Sequence, residues 1–370
     1  SGIRSDPQNY FMSAKDDARN WNYAPNPQTP TQAVSGTTGP AGKLGEPINC
    51  LIPFSNDVLL FGCDASIWAM RGDPASGGHL DMLSSVTGIA WGQPWCQDPN
   101  GVIYFFGSRG GLYRIVPGDG LVPERLSAKH LETRLSNVNF NTSIVRLAWN
   151  DKDIGVHIFI TPLSSVTAEH FWFDARTESF WKDKLASEFH SPVAVHVFDG
   201  DNPEDRAVLI GSADGYVRTW TPQGTTDDGS AIASYALFGP IQISDGQVPF
   251  ILTELYAVLA QSSGTVSYEV YVGNSAEHAL SDEAARSGYM LYEDAGNLIL
   301  EDGSGFFLLE GSEADFEGTF AAIRSITVNP RLRAYAAYVK LMQTTNNATW
   351  ALEYLRVTVA EIETSRGRVF

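Results

Sequence analysis

Residues able to do chemistry are few in this chain, and they are scattered. Three cysteines stand at Cys50, Cys63 and Cys96. Their number is odd and none forms a C-x-x-C pair, so buried free thiols are expected rather than a disulfide framework or a zinc site. The seven histidines (His79, His130, His157, His170, His190, His196 and His278) include no close metal-ligand pair such as H-x-x-x-H. His157 and His170 sit in the apolar runs VHIFIT and EHFWFD, where packing or hydrogen bonding is the expected role. The segment DGDNPED (199–205) puts four acids into seven residues. Hard cations want several carboxylate and carbonyl oxygens, so a calcium loop is conceivable there. The Gly and distal Glu of an EF-hand are misplaced, and a solvated loop connecting two sheet units is the expected reading. No G-x-S-x-G elbow, P-loop or Rossmann fingerprint occurs. No catalytic, cofactor-binding or metal-binding residue is therefore assigned, no cofactor is expected, and the chain is not expected to be an enzyme.

The elements that must position these residues are strands. The chain has 370 residues, too many for one ordinary domain. It is 43% hydrophobic and only 18% charged, with 34 glycines and 11% aromatic residues. That balance suits short strands joined by turns better than long solvated helices. The 43 acids against 25 bases leave a net charge of −18, which excludes a basic stripe for gripping phosphates over most of the surface. No apolar run approaches the ~20 residues of a membrane span. The opening SGIRSDPQNY lacks the pattern of a signal peptide and does not begin with Met, which suggests a trimmed chain or a fragment.

Three segments share one pattern: VLLFGCDASIWAM (58–70), IYFFGSRGGLYRI (103–115) and AVLIGSADGYVRTW (207–220). Each reads as an apolar strand, a glycine (Gly62, Gly107, Gly211), a short polar turn and a second strand rich in aromatics. Gly62 and Gly107 lie 45 residues apart and Gly107 and Gly211 lie 104 apart, so a further unit is expected midway. VHIFIT (156–161), EHFWFD (169–174) and the pair Phe180–Trp181 stand there, without the glycine. This period predicts β-propeller-like blades. NYFMSA (9–14) with NWNY (20–23) reads as part of another blade, so the chain opens inside one. Residues 24–49 carry five prolines and predict a long irregular surface connection. Residues 126–138 predict a helix with Ser127 as N-cap and an apolar stripe through Leu131 and Leu135.

Composition shifts after Pro222. Residues 225–243 read as a turn and a strand. LTELYAVLA (252–260) and TVSYEVYVG (265–273) read as a strand pair across a Ser-Ser-Gly turn, and 274–288 as a short helix. A local repeat over 291–316 reads as a β-meander, its acids guarding strand edges. Strands follow at 334–345 and 350–362. The expected architecture is all-β: blade repeats over 1–240, then a β-sandwich over 241–370.

Two resemblances bear on function. Ser212, Asp214, Thr219 and Trp220 loosely resemble the Asp-box of sialidases, although the run is one residue too long and Gly215 follows Asp214 directly. In such blades the motif closes a turn while Trp packs between blades. Over roughly residues 1–280, the chain also resembles the tail nozzle (tail tubular protein B-like) proteins of short-tailed bacteriophages. The resemblance rests on SGIRSDPQNYFMSA (1–14), NWNY (20–23), EPINCLIPFSNDVLLFGCDASIWAMRGDP (46–74), WCQDPNGVIYFFGSRGGLYRI (95–115), GSADGYVRTW (211–220), DDGSAI (227–232) and VYVGNSAEHAL (270–280), in that order. It implies a structural virion protein in the tail: a homo-oligomer, a hexameric ring below the portal and adaptor proteins. Such a ring encloses the DNA ejection channel, with transient non-specific passage of DNA, and offers a surface to tail fibres. An acidic lumen would repel the DNA backbone and let it slide. The loops 24–49 and 199–205 are the candidates for partner contacts. The alternatives are a sialidase-like, glycan-acting propeller hydrolase and a monomeric carbohydrate- or protein-binding module.

Overall fold

A computed structural model describes residues 5–279, 316–320 and 325–362, apart from 26, 119, 130, 165–167, 186, 203–204, 222–223, 261–262 and 346–347. The chain is nearly all β and divides into two compact units, Ser1–Gln223 and Gly224–Phe370. No helix among the described residues is long and apolar enough to cross a membrane.

In the first unit a short ladder joins β1 (Phe11–Met12) to β2 (Val34–Ser35). Four blades follow. Blade 1 holds β3 (Ile48–Ser55), β4 (Val58–Cys63), β5 (Ile67–Arg71) and β6 (His79–Ser84). Blade 2 holds β7 (Trp95–Gln97), β8 (Ile103–Phe106), β9 (Leu112–Ile115) and β10 (Glu124–Arg125), and α1 (Glu132–Ser136) comes after it. Blade 3 holds β11 (Ser143–Asn150), β12 (Gly155–Pro162), β13 (Glu169–Asp174) and β14 (Ser179–Asp183). Blade 4 has three strands, β15 (Pro192–Phe198), β16 (Ala207–Ser212) and β17 (Val217–Thr219). In every blade each strand pairs antiparallel with the next.

Side chains alternate across a strand, and here both faces of the second strand of a blade find apolar partners. In β8, Ile103 and Phe105 join Ile52, Leu60 and Ile67 of blade 1, while Tyr104 and Phe106 join Leu147, Ile158 and Phe171 of blade 3. That double burial is why IYFF reads as an unbroken apolar run. The pattern continues in β12, where Val156, Ile158 and Ile160 face blade 2 and Phe159 faces Val208 and Ile210 of blade 4. The repeat glycines have a related origin. A Cβ on Gly62 would stand 2.6 Å from both Ile89 Cβ and Cys50 Sγ, and one on Gly107 would stand 2.7 Å from the Tyr113 ring. These two are close-approach positions. Gly211 has its nearest neighbour at 3.5 Å and is not.

Several expectations need correction. NWNY is not a strand: β1 instead pairs with Val34–Ser35, from the proline-rich stretch. That stretch is not wholly on the surface, because Ala33, Val34, Ser35 and Leu44 are buried, and Leu44 packs with Tyr10, Ile48 and Phe61. The helix expected over 126–138 shrinks to a 3-10 turn at Ser127–Lys129 and the five residues of α1. Ser127 does not cap it; its Oγ accepts the Leu112 N–H of β9 (3.2 Å). Leu131 and Leu135 do pack onto the core between blades 2 and 3.

The second unit opens with a small hairpin, β18 (Thr226–Asp227) and β19 (Ser230–Ala231), and continues with β20 (Ser234–Gln242), β21 (Phe250–Leu259), β22 (Val266–Gly273), β23 (Phe316–Phe320), β24 (Ser325–Val328), β25 (Leu332–Ala334), β26 (Ala336–Gln343) and β27 (Leu352–Glu361). One sheet has the order β20-β26-β22-β23; in the other, β21 pairs with β27 on one side and with β24 and β25 on the other. The two bury a common core of Phe250, Leu252, Leu255 and Leu259 against Val266, Tyr268, Val270, Val339 and Leu341, which makes a sandwich. The expected pairing of 252–260 with 265–273 is corrected: β21 and β22 belong to different sheets, because the chain crosses the core between them. The boundary falls at 223/224 rather than 240/241, since β20 is bonded along β26. The 291–316 meander and most of the 274–288 helix lie outside the described residues, of which 276–279 are helical.

Candidate functional site

A cluster of buried polar side chains in the first unit lies where blade 3 meets blade 4. Strand alternation places it. In β13, Phe171 and Phe173 face blade 2, so His170 and Trp172 must face blade 4. In β12, His157 lies opposite Trp172 and Phe159 opposite His170. In β14, Asp183 lies opposite His170. The register thus brings His157, His170 and Asp183 onto one surface.

Both imidazoles are 2% exposed. His157 Nδ1 lies 3.5 Å from Asp183 Oδ2, and its Nε2 lies 3.4 Å from Asn150 Nδ2. His170 Nε2 lies 3.3 Å from Ser191 Oγ, and its Nδ1 has no hydrogen-bond partner. Phe159 stacks on His157 (5.6 Å) and meets His170 edge-on (5.4 Å). Trp172 and Trp220 stand 4.5 and 4.3 Å from the His157 ring. Burial pushes the His170 pKa down to about 4, against a smaller upward pull from Asp183. At neutral pH this ring is uncharged. Two hydroxyls tie the joint to the backbone: Thr161 Oγ1 donates to Pro192 O (2.6 Å), and Ser212 Oγ donates to His190 O (2.9 Å).

A serine beside a histidine beside a carboxylate has the ingredients of acyl-transfer chemistry. The placement argues against that use. Ser191 is 3% exposed and His170 2%, so a substrate carbonyl has no route to the hydroxyl. These groups pack between two sheets, with His157 Nδ1, His170 Nδ1 and Asp183 Oδ2 left without hydrogen-bond partners. His157 and His170 are packed and hydrogen-bonded, as their strand context leads one to expect; what no local motif shows is that Asp183 lies opposite His170 on the ladder and 3.5 Å from His157.

Beside this joint, on the far side of Asn150, a cavity of about 400 Å³ is lined by Asp151, Lys152, Asp199, Gly200, Asp201 and Arg206 over a floor of Trp149, Val197 and Val208. Arg206 Nε lies 2.6 Å from Asp151 Oδ2 and 4.0 Å from Asp199 Oδ1. The acidic stretch 199–205 does not connect two blades; it is the loop between β15 and β16 of blade 4. Arg206 pairs closely with Asp151, and no three His, Cys, Asp or Glu side chains among the described residues gather as a metal site.

The remaining singled-out residues are structural. Asp214 Oδ1 accepts the Tyr216 N–H (3.1 Å) and its carboxylate pairs with Arg218 (2.8 Å), closing the turn before β17, while Trp220 packs on blade 3. Asp98 and Asp174 close the β7–β8 and β13–β14 turns in the same way. Cys50, Cys63 and Cys96 are free and buried. Burial pushes the Cys50 and Cys63 thiols up to about 12 and the Cys96 thiol higher.

No protein-family model matches the chain, and no curated protein does. Among solved structures, the extracellular domain of the one component system BT4673 from B. thetaiotaomicron aligns at 15% identity over 45% of this chain and 20% of its own, with a TM-score of 0.30. The Bombyx mori GH32 beta-fructofuranosidase BmSUC1 aligns at 10% identity over 86% of this chain and 79% of its own, with a TM-score of 0.26. The extracellular domain of the hybrid two component system BT3049 from B. thetaiotaomicron aligns at 10% identity over 85% of this chain and 44% of its own, with a TM-score of 0.28. The chain thus spans less than half the length of both B. thetaiotaomicron domains. TM-scores this low do not establish a shared fold, and the fold class stands on the sheets themselves.

Proposed function

We propose that this chain is a structural subunit of a short bacteriophage tail, a nozzle or hub protein of the virion. It assembles as a homo-oligomeric, hexameric ring below the portal and adaptor, encloses the DNA ejection channel and presents a surface to tail fibres. The observation that carries the reading is the open end of the blade row. Blades 1, 2 and 3 are covered on both faces by neighbours, whereas the outer face of blade 4 exposes Ala194, His196, Phe198, Val217 and Thr219. A repeat that ends without a polar cap is incomplete as a free-standing unit, and a neighbouring subunit in a ring supplies a cover. The ordered motifs over residues 1–280 and the charge of −18 favour the same reading, since an acidic lumen repels the phosphate backbone.

Size-exclusion chromatography with mass determination, followed by negative-stain imaging, tests it. Rings with a central hole are expected. A stable monomer at every concentration would sink the reading and favour a binding module. A screen on fluorogenic glycosides is expected to give no turnover, and specific turnover would favour the hydrolase instead.

A further inference from the structure

We propose that the joint between blade 3 and blade 4 is an acid-sensitive hinge, in which the buried imidazole of His170, opposite Asp183 on the ladder but hydrogen-bonded to no carboxylate, must stay uncharged for the two sheets to remain packed. The inference does not depend on the proposed function. His157 and His170 are the only buried histidines among the described residues, and both lie at this joint. Asp183 is half-buried, and the buried carboxylates among the described residues of the first unit, Asp98 and Asp174, are held in hairpin turns and take up backbone N–H groups.

The groups facing the pair decide what protonation does. Blade 3 supplies Asp183 from β14, uncharged Asn150 from β11, and Glu169 next to His170 in β13. Blade 4 supplies Val195, Val197, Val208, Ile210 and Trp220, none of them ionisable. His190 precedes Ser191, and Arg218, opposite Ile210, is paired with Asp214. His157 Nδ1 lies 3.5 Å from Asp183 Oδ2, with two indole rings against the imidazole. A proton on His170 meets a serine hydroxyl, the edge of Phe159 and, without a hydrogen bond, Asp183 across the ladder. It is a buried charge with no hydrogen-bonded counter-ion, which is a large penalty in a low-dielectric interface. Opening the joint releases it to water. What opens is blade 4, the end of the row, already uncovered on its other face.

Amide hydrogen exchange on the full chain, corrected for the intrinsic pH dependence of exchange, tests the hinge. Protection of residues 192–219 is expected to fall about thirtyfold between pH 7.5 and pH 5.0, the linkage expected for an imidazole held near 4 when closed and near 6.5 when open. Protection in β4, β5, β8 and β9 is expected to stay constant. The His170→Gln variant, which keeps a hydrogen-bonding group near the Nε2 position and does not titrate, is expected to lose the pH dependence in 192–219. Protection of 192–219 that is flat with pH in the wild-type chain overturns the proposal, and so does a parallel loss in all four blades. A pH dependence that persists in a folded His170→Gln variant also overturns it. The wild-type comparison of blades decides the matter even where the variant does not fold.

Discussion

At the residue scale, the repeat glycines show how one letter serves two purposes. A methyl group on Gly62 must displace Ile89 and Cys50, whereas one on Gly211 meets Ala194 at ordinary contact distance. Gly62→Ala is therefore expected to destabilise by about 1–3 kcal/mol through overpacking. Gly211→Ala is expected to stay within about 0.5 kcal/mol of wild type, as for a substitution without a clash. Urea unfolding of the two variants separates them. His170 makes a second prediction. Its folded pKa, about 4, lies below the unfolded value near 6.5, so the unfolded chain binds more protons between these limits. Its contribution is fully present above pH 6.5 and is lost as pH falls toward 4, by about 3 kcal/mol in all. Urea midpoints measured from pH 7.5 to pH 4 are expected to fall more steeply in the wild-type chain than in His170→Gln.

At the scale of elements, the second strand of a blade is the structural unit that matters, because both its faces are sealed. Phe105 and Phe106 are adjacent in β8, point into different cores and are both fully buried. Truncating either to Ala is expected to cost about 3–5 kcal/mol, with no difference between the two faces. Val217 on β17 is 72% exposed, and Val217→Ala is expected to fall within about 0.5 kcal/mol of wild type. Thermal unfolding of the three variants checks this. Blade strands were legible in the sequence because apolar runs, turn residues and a steady period agree with one another. The helix over 126–138 was less so: the periodicity of Leu131 and Leu135 reflects packing onto a core, and a pair of leucines one turn apart fits a short helix as well as a long one. The β21–β22 pairing failed for a similar reason, since two alternating strands in succession look alike whether they join one sheet or cross between two.

At the scale of the whole molecule, the net charge of −18 sets the terms for any assembly. Like-charged copies repel, and salt screens that repulsion over about 10 Å at 0.1 M. If rings form through the exposed outer face of blade 4, which carries no acid among Ala194, His196, Phe198, Val217 and Thr219, the assembled fraction is expected to rise with ionic strength, as measured by sedimentation velocity. A fall with salt would point to an interface of opposite charges instead. The sequence by itself determined the all-β class, the blade period and the unit expected midway at VHIFIT and EHFWFD, because period and alternation are properties of the local chain. The three buried, unpaired thiols could be read the same way, from number and spacing. Only the tertiary structure decided that blade 4 ends the row uncovered, that the proline-rich stretch returns Val34 to Met12, and that His157, His170 and Asp183 meet. Those facts depend on strand register and on which sheet faces which. A shift of one residue in register would have turned both imidazoles toward blade 2, and nothing local in the sequence reports that choice.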